Sequence, residues 1–238
     1  MQERVAAVIV AAGSSRRMEG RDKLWIPLAG RITLARTIDV FEASPLVDTI
    51  VLVLNTERIP AASVLCQQED WSKIAGIAAG GLRRQDSVRI GLDTLAQVDP
   101  ACRWVMIHDG ARPLVTPNML EVGLEAARLY SAAIAGVPVK DTIKQVHRGL
   151  VHTTLDRSQL WSVQTPQVFS FPLILSAHHT PEAQEDVTDD AALLERLGQP
   201  VAIFPGSYTN IKITTKEDLA IAEALLRQRD EIDMETRS

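Results

Sequence analysis

The sequence predicts an α/β fold: an open, mostly parallel sheet with helices on both faces and a β-hairpin projecting from it. Three observations carry this. Short apolar runs of strand length recur at residues 5–10, 49–54 and 104–107 of the 238, and such runs suit strands buried on both faces of a parallel sheet. Segments with helical spacing of apolar residues stand between them, the alternation that builds βαβ units. Near residue 139 this gives way to two short strand patterns joined through Arg148-Gly149, which reads as a protruding hairpin.

In chain order, Val5-Ala6-Ala7-Val8-Ile9-Val10 is the expected central strand. Leu34, Ile38 and Phe41 then recur at helical spacing, and residues 49–54 repeat the buried-strand pattern, closing a first βαβ unit. A helix over about 86–95 and a strand at 104–107 follow. The next helix opens at Thr116 as N-cap, with Pro117 at its first position, where its missing N–H costs nothing. Residues 133–139 lead into the hairpin, whose strands are expected at 142–146 and 150–155. The chain returns through 161–169, forms a helix after Thr188 that stops at Gly198, then a strand at 201–204 and another at 208–213 carrying Lys212. A last helix starts at Thr215, whose hydroxyl and Asp218 three residues on resemble a capping box, with Leu219, Ala222 and Leu226 as its apolar face. No repeat, low-complexity segment or linker divides the chain. We expect one domain over 1–228, including a β-arm at about 139–158, and a solvated tail over 229–238.

A hydrophobic content of 46% supplies a real core and excludes a disordered or fibrous chain. The net charge of -5 gives no general attraction to polyanions, so anions must be bound by local clusters of Lys and Arg. Aromatic residues are only 4%, too few for the stacking platforms of single-stranded nucleic-acid binders. With two cysteines, Cys66 and Cys102, and a start that goes straight into a strand, the expectation is a reduced cytoplasmic protein. No apolar run approaches the ~20 residues that span a bilayer. Neither nucleic acid nor membrane is expected as a partner, which leaves a small soluble molecule.

In an open parallel sheet a ligand sits beyond the carboxyl ends of the strands. Four segments stand at such places. Ala11-Ala12-Gly13-Ser14-Ser15-Arg16-Arg17-Met18, with Lys23 shortly after, joins small residues that let backbone N–H groups approach a phosphate chain to cations that neutralise it. It lacks the glycine spacings of the dinucleotide and Walker loops. It outlines a triphosphate loop and is, alone, equally a strand-to-loop turn. Gly80-Gly81 before Arg83-Arg84 and Ser87 can present backbone to the edge of a base, with Arg84 and Ser87 on one helix face; alone it is an ordinary glycine turn. His108-Asp109-Gly110-Ala111-Arg112-Pro113 puts a carboxylate where it can meet a ribose or Mg²⁺, a cation that keeps several waters and binds through one or two carboxylates plus substrate phosphates. Asp109 is the candidate, against an Asx turn or a salt bridge to Arg112; His108 is read as structural. Lys212 either snorkels at a sheet edge or reaches an α-phosphate. His178-His179 lacks metal-ligand partners at zinc spacing and is read as surface.

In this order, Ala-Ala-Gly with Arg17 and Met18, Gly-Gly with Arg84 and Ser87, Asp109 with Ala111-Arg112-Pro113, Asp156-Arg157 with Thr165-Pro166-Gln167, and Asn210 with Lys212 resemble the 2-C-methyl-D-erythritol 4-phosphate cytidylyltransferase family. The likeness runs from Val5 to about Leu226. It implies a Rossmann-like fold of the nucleotide-diphospho-sugar transferase type and transfer of CMP from CTP to methylerythritol phosphate, with pyrophosphate released. It further implies that Arg17, Lys23 and Lys212 are catalytic, binding the triphosphate and stabilising charge on the α-phosphate. Ala11, Ala12, Gly13, Gly81, Arg84, Ser87 and Asp109 would hold the nucleotide. Thr142, Arg157, Thr165 and Thr188 would hold the polyol phosphate, with Arg157 crossing from a second subunit of a homodimer joined by the arm. Mg²⁺ would be held mainly through CTP. The chain departs from the family's usual pattern at Ser15, at Asp22 before Lys23, at Leu82 and at Thr209. Two other readings stand beside this one: a cytidylyltransferase acting on ribitol 5-phosphate, and a non-catalytic nucleotide-binding module.

Overall fold

The computed structural model describes residues 3–13 and 22–236. In chain order the strands are β1 (Arg4–Ala11), β2 (Pro27–Leu28), β3 (Arg31–Ile32), β4 (Thr49–Leu54), β5 (Ile74–Ala79), β6 (Cys102–Asp109), β7 (Ala132–Pro138), β8 (Lys144–His147), β9 (Leu150–Thr154), β10 (Trp161–Ser170) and β11 (Ala202–Pro205). Seven of them form one sheet in the order β11-β7-β10-β6-β1-β4-β5. All neighbours are parallel except β10, which is antiparallel to both β6 and β7. The reversal follows from the arm. The chain leaves β7, traverses the hairpin and comes straight back, and a return without a crossover helix can only pair antiparallel.

The helices are α1 (Thr33–Ala43), α2 (Ile59–Gln68), α3 (Arg84–Val98), α4 (Pro117–Tyr130), α5 (Phe171–His178), α6 (Asp190–Arg196) and α7 (Lys216–Thr236). The period-2 alternation of a strand divides β1 between two cores. Val5, Ala7 and Ile9 pack with Leu34, Ile38 and Phe41 of α1 and Leu120 and Leu124 of α4. Ala6 and Val8 pack on the other face with Val88, Leu92 and Leu95 of α3, Ile174 of α5 and Leu194 of α6. Helices thus cover both faces, and the strand ends β1, β4, β5 and β6 open at one edge of the layer. The expected caps are present: Thr116 Oγ1 accepts from Met119 N–H at 3.4 Å, and Asp218 Oδ2 accepts from Thr215 N–H at 2.8 Å.

Three segments differ from expectation. Residues 208–213 are an irregular connection, not a strand, because their backbone bonds close turns: Asn210 N–H donates to Ser207 C=O at 3.0 Å and Ile211 N–H to Thr209 C=O at 2.8 Å. Helix α7 runs on to Thr236, through most of the segment expected as a tail. His178 is buried, not at the surface, while His179 is exposed and pairs with Asp93. The hairpin is as expected. Strands β8 and β9 pair antiparallel about Arg148 and Gly149, with φ of 49° and 80°, the left-handed pair that matches the twist of a tight hairpin. Val146, Leu150 and Val151 on it are exposed. No helix among the described residues is long and apolar enough to cross a membrane.

Candidate active site

Two cavities lie beyond the strand ends and share one wall. The first, about 350 Å³, is lined by Ala11, Ala12 and Gly13 at the end of β1, by Gly81, Leu82, Arg84 and Ser87 around the start of α3, and by Lys23, Asp109 and Lys212. The second, about 310 Å³, is lined by Gln164, Thr165 and Gln167 of β10 and by Thr188. Arg84, Asp109 and Lys212 line both.

The glycine turn fits its place by contact. A Cβ on Gly80 would stand 2.2 Å from Ala12 Cβ, and one on Gly81 would stand 2.4 Å from Asp86 Cβ. Only glycine lets this turn lie against the end of β1. Its shape is kept by Ser87, whose hydroxyl accepts from Gly81 N–H at 3.1 Å and donates to Arg83 C=O at 3.2 Å, and by Asp86, which accepts from Arg83 N–H at 3.1 Å and closes a capping box on α3. Leu82 projects fully exposed at this cavity's rim.

The shared wall is a ladder of alternating charge. Lys212 Nζ is 2.7 Å from Asp109 Oδ2, and Arg84 Nε is 3.1 Å from Asp109 Oδ1. Arg112 stands off at 3.9 Å, so its pairing with Asp109 is the weakest of the three. Burial by itself would raise the Asp109 pKa, but Arg84 and Lys212 outweigh it and hold the carboxyl well below the usual range, so it is ionised at any physiological pH. Three bonds fix the connection bearing Lys212: Ile213 N–H donates to Ala111 C=O at 2.8 Å, Arg112 Nη1 to Asn210 C=O at 2.7 Å, and the buried Asn210 Nδ2 to Thr165 C=O at 2.9 Å.

His108 is structural, as expected. It is fully buried, which lowers its pKa to about 4, and the neutral ring sits between Arg112 C=O, 3.2 Å from Nε2, and Thr165 Oγ1, 3.1 Å from Nδ1. Asp109 N–H donates to the same Thr165 hydroxyl at 3.0 Å. The consistent assignment has Nε2 protonated and Thr165 donating to Nδ1. Thr165 therefore meets the second cavity with its proton already committed.

A model of the family described as 2-C-methyl-D-erythritol 4-phosphate cytidylyltransferase matches residues 5–228. The chain belongs to this family. It is similar to a protein of that name from Dehalococcoides mccartyi (strain CBDB1), 52% identical over 229 residues, covering 96% of this chain and 98% of that one. Another from Syntrophotalea carbinolica is 46% identical over 93% of this chain and 96% of that one. Among solved structures it resembles 4-diphosphocytidyl-2C-methyl-D-erythritol synthase from Anaerococcus prevotii, with a TM-score of 0.84 and 31% identity, covering 94% of this chain and 96% of that one. The family enzyme from Thermus thermophilus has a TM-score of 0.75 and 29% identity over 92% of this chain and 98% of that one.

In this cytidylyltransferase the structure brings together Ala11, Ala12, Gly13, Lys23, Gly81, Arg84, Ser87, Asp109 and Lys212 around the first cavity, and Thr165 and Thr188 at the second. Arg17 and Ser15 lie outside the described residues. Thr142 and Arg157 line neither cavity of their own chain. Both are exposed, and Arg157 Nη1 donates to Lys140 C=O at 2.7 Å. Sequence reasoning missed Asp190, a carboxylate with no exposure, 2.7 Å from Arg84 Nη1. Nothing in the string Thr188-Asp189-Asp190 separates it from a helix cap, and Asp189 is the residue that caps α6, accepting from Ala192 N–H at 2.9 Å.

Proposed function

We propose that the chain transfers CMP from CTP to 2-C-methyl-D-erythritol 4-phosphate, giving 4-diphosphocytidyl-2-C-methyl-D-erythritol and pyrophosphate, with CTP in the first cavity and the polyol phosphate in the second. The observation that carries this is the shared wall: a cavity lined by small residues and by Lys23, Arg84 and Lys212 meets a threonine-bearing cavity at Lys212 and Asp109. An oxygen of the phosphate monoester attacks the α-phosphorus in line, a P–O bond to it forms, and the bond to the leaving pyrophosphate breaks. Two polyanions must be brought together, so position and positive charge do most of the work. Lys23 and Arg17 take the triphosphate in this reading. Lys212 meets the α-phosphate from the wall, while Gly81, Ala12 and Ser87 border the base and Asp109 the ribose. No general base is needed, since a phosphate monoester with a second pKa near ~6 is largely dianionic at neutral pH.

Among the described residues no cluster of three or more His, Cys, Asp or Glu stands ready to hold a metal. The ionised Asp109 in the first cavity suits Mg²⁺ bound through one carboxylate plus substrate phosphates. Bound there, the ion would neutralise phosphate charge. Thr142 and Arg157 belong in this proposal to the acceptor site of a second copy, reached across a homodimer whose contact includes the exposed apolar side of the arm. We read the enzyme as cytoplasmic, in keeping with the free Cys66 and Cys102. Phosphorus NMR of the product tests the chemistry. Two coupled resonances of a new phosphoanhydride are expected from CTP plus methylerythritol phosphate, and CMP with unchanged acceptor would contradict the transfer.

A further inference from the structure

Behind the shared wall lies a group that touches neither cavity. Asp190 stands in the first turn of α6 with no exposure. Its Oδ2 accepts from Arg84 Nη1 at 2.7 Å, and His178 Nε2 is 3.3 Å from its Oδ1. The same Arg84 reaches Asp109 through Nε at 3.1 Å, and Asp109 holds Lys212 at 2.7 Å. The guanidinium is thus clamped between two carboxylates from different elements, the end of β6 and the start of α6.

We infer that Asp190 is a positioning residue for cytidylyl transfer: it holds Arg84 away from a bidentate pairing with Asp109 and so leaves one Asp109 oxygen for Lys212. The inference rests on the function proposed above. The geometry supports it on three counts. Asp190 is not needed as a cap, because Asp189 does that work. A guanidinium facing one carboxylate prefers two parallel N–H···O bonds, a pairing that would bring Arg84 onto the Asp109 oxygen that Lys212 holds. Arg84 Nη2 is buried and has no hydrogen-bond partner among the described residues, so the guanidinium has a donor left to make that second bond once Asp190 lets go.

The experiment is a double-mutant cycle on the intact enzyme, using Asp190→Asn, Arg84→Gln and the pair, with KM and kcat measured for each substrate. Asp190→Asn is expected to lower kcat/KM for the polyol phosphate about 10- to 100-fold, part of it as a raised KM, while KM for CTP moves less than about threefold. In the Arg84→Gln background the same change should matter by less than about twofold, since its target is gone. Losses that multiply, with kcat taken per folded molecule by circular dichroism, would overturn the inference. Melting temperatures decide the case if Asp190→Asn folds poorly. The destabilisation by Asp190→Asn should be smaller in the Arg84→Gln background than in wild type, since the partner is already gone; equal losses in both backgrounds would contradict the clamp. Wild-type protein that fails to turn over the polyol phosphate would sink the proposed function instead, with the melting cycle still judging the clamp.

Discussion

Lys212 and Asp109 define the candidate site at the scale of single residues. Their 2.7 Å pair keeps a lysine at the junction of two cavities without burying an uncompensated charge. In the proposed reaction Lys212 gains most when negative charge builds at the α-phosphate. Lys212→Ala should therefore lower kcat by about 100- to 1000-fold and change CTP affinity far less. Equal losses in kcat and affinity, measured by steady-state kinetics and calorimetry, would refute that role. His108 carries a second prediction. Its folded pKa is about 4, against ~6.5 in an unfolded chain, so between these values the unfolded state binds the proton and the folded state does not. Its contribution is complete above the unfolded value and is lost as pH falls toward the folded one, about 3 kcal/mol in all. Denaturant titrations should show stability declining from pH 7 to pH 4.5, with a shallower decline in His108→Gln; an unchanged slope would contradict the assignment. Asp109 was legible from its place after a strand, and His108 as scaffold from its isolation. Asp190 was not, because its partner Arg84 is 106 residues away and nothing local distinguishes a buried carboxylate from a capping one.

Elements explain why these residues meet. The turn between β5 and α3 can approach the end of β1 only without side chains. Gly80→Ala forces a Cβ to 2.2 Å from Ala12, a backbone-anchored atom that cannot swing aside. Overpacking of this kind costs about 1–3 kcal/mol, and here it should also weaken CTP binding, read by calorimetry beside a melting curve; wild-type affinity would show that the turn does not border the nucleotide. Strands β1, β4 and β6 were legible because burial on both faces demands continuous apolar runs. Strand β5 was not: an edge strand pairs on one side only, and its Ile74-Ala75-Gly76-Ile77-Ala78-Ala79 residues are mostly half-buried, so small side chains suffice. Residues 208–213 misled for the opposite reason. Ile211 and Ile213 give an alternating pattern, but Ile213 is buried in a separate cluster with Leu28, Leu114, Ala222 and Leu226 of α7, so its hydrophobicity serves helix packing and not a sheet.

At the scale of the molecule, the arm carries exposed Val146, Leu150 and Val151, and Arg157 is engaged at the arm's base, away from its own cavities. If the acceptor site is completed across a dimer, Arg157→Ala and Lys212→Ala lie in different halves of each site. Mixing the two inactive variants after reversible dissociation should restore about a quarter of wild-type activity, since half the dimers are mixed and each has one intact site. No recovery, with mixed dimers shown to form, would contradict a composite site. The decisive experiment is pyrophosphate release from CTP and Mg²⁺, run with methylerythritol 4-phosphate, with ribitol 5-phosphate and with no acceptor. Release is expected with methylerythritol 4-phosphate alone; release with ribitol 5-phosphate in its place, or none from folded protein, would contradict the proposed transfer.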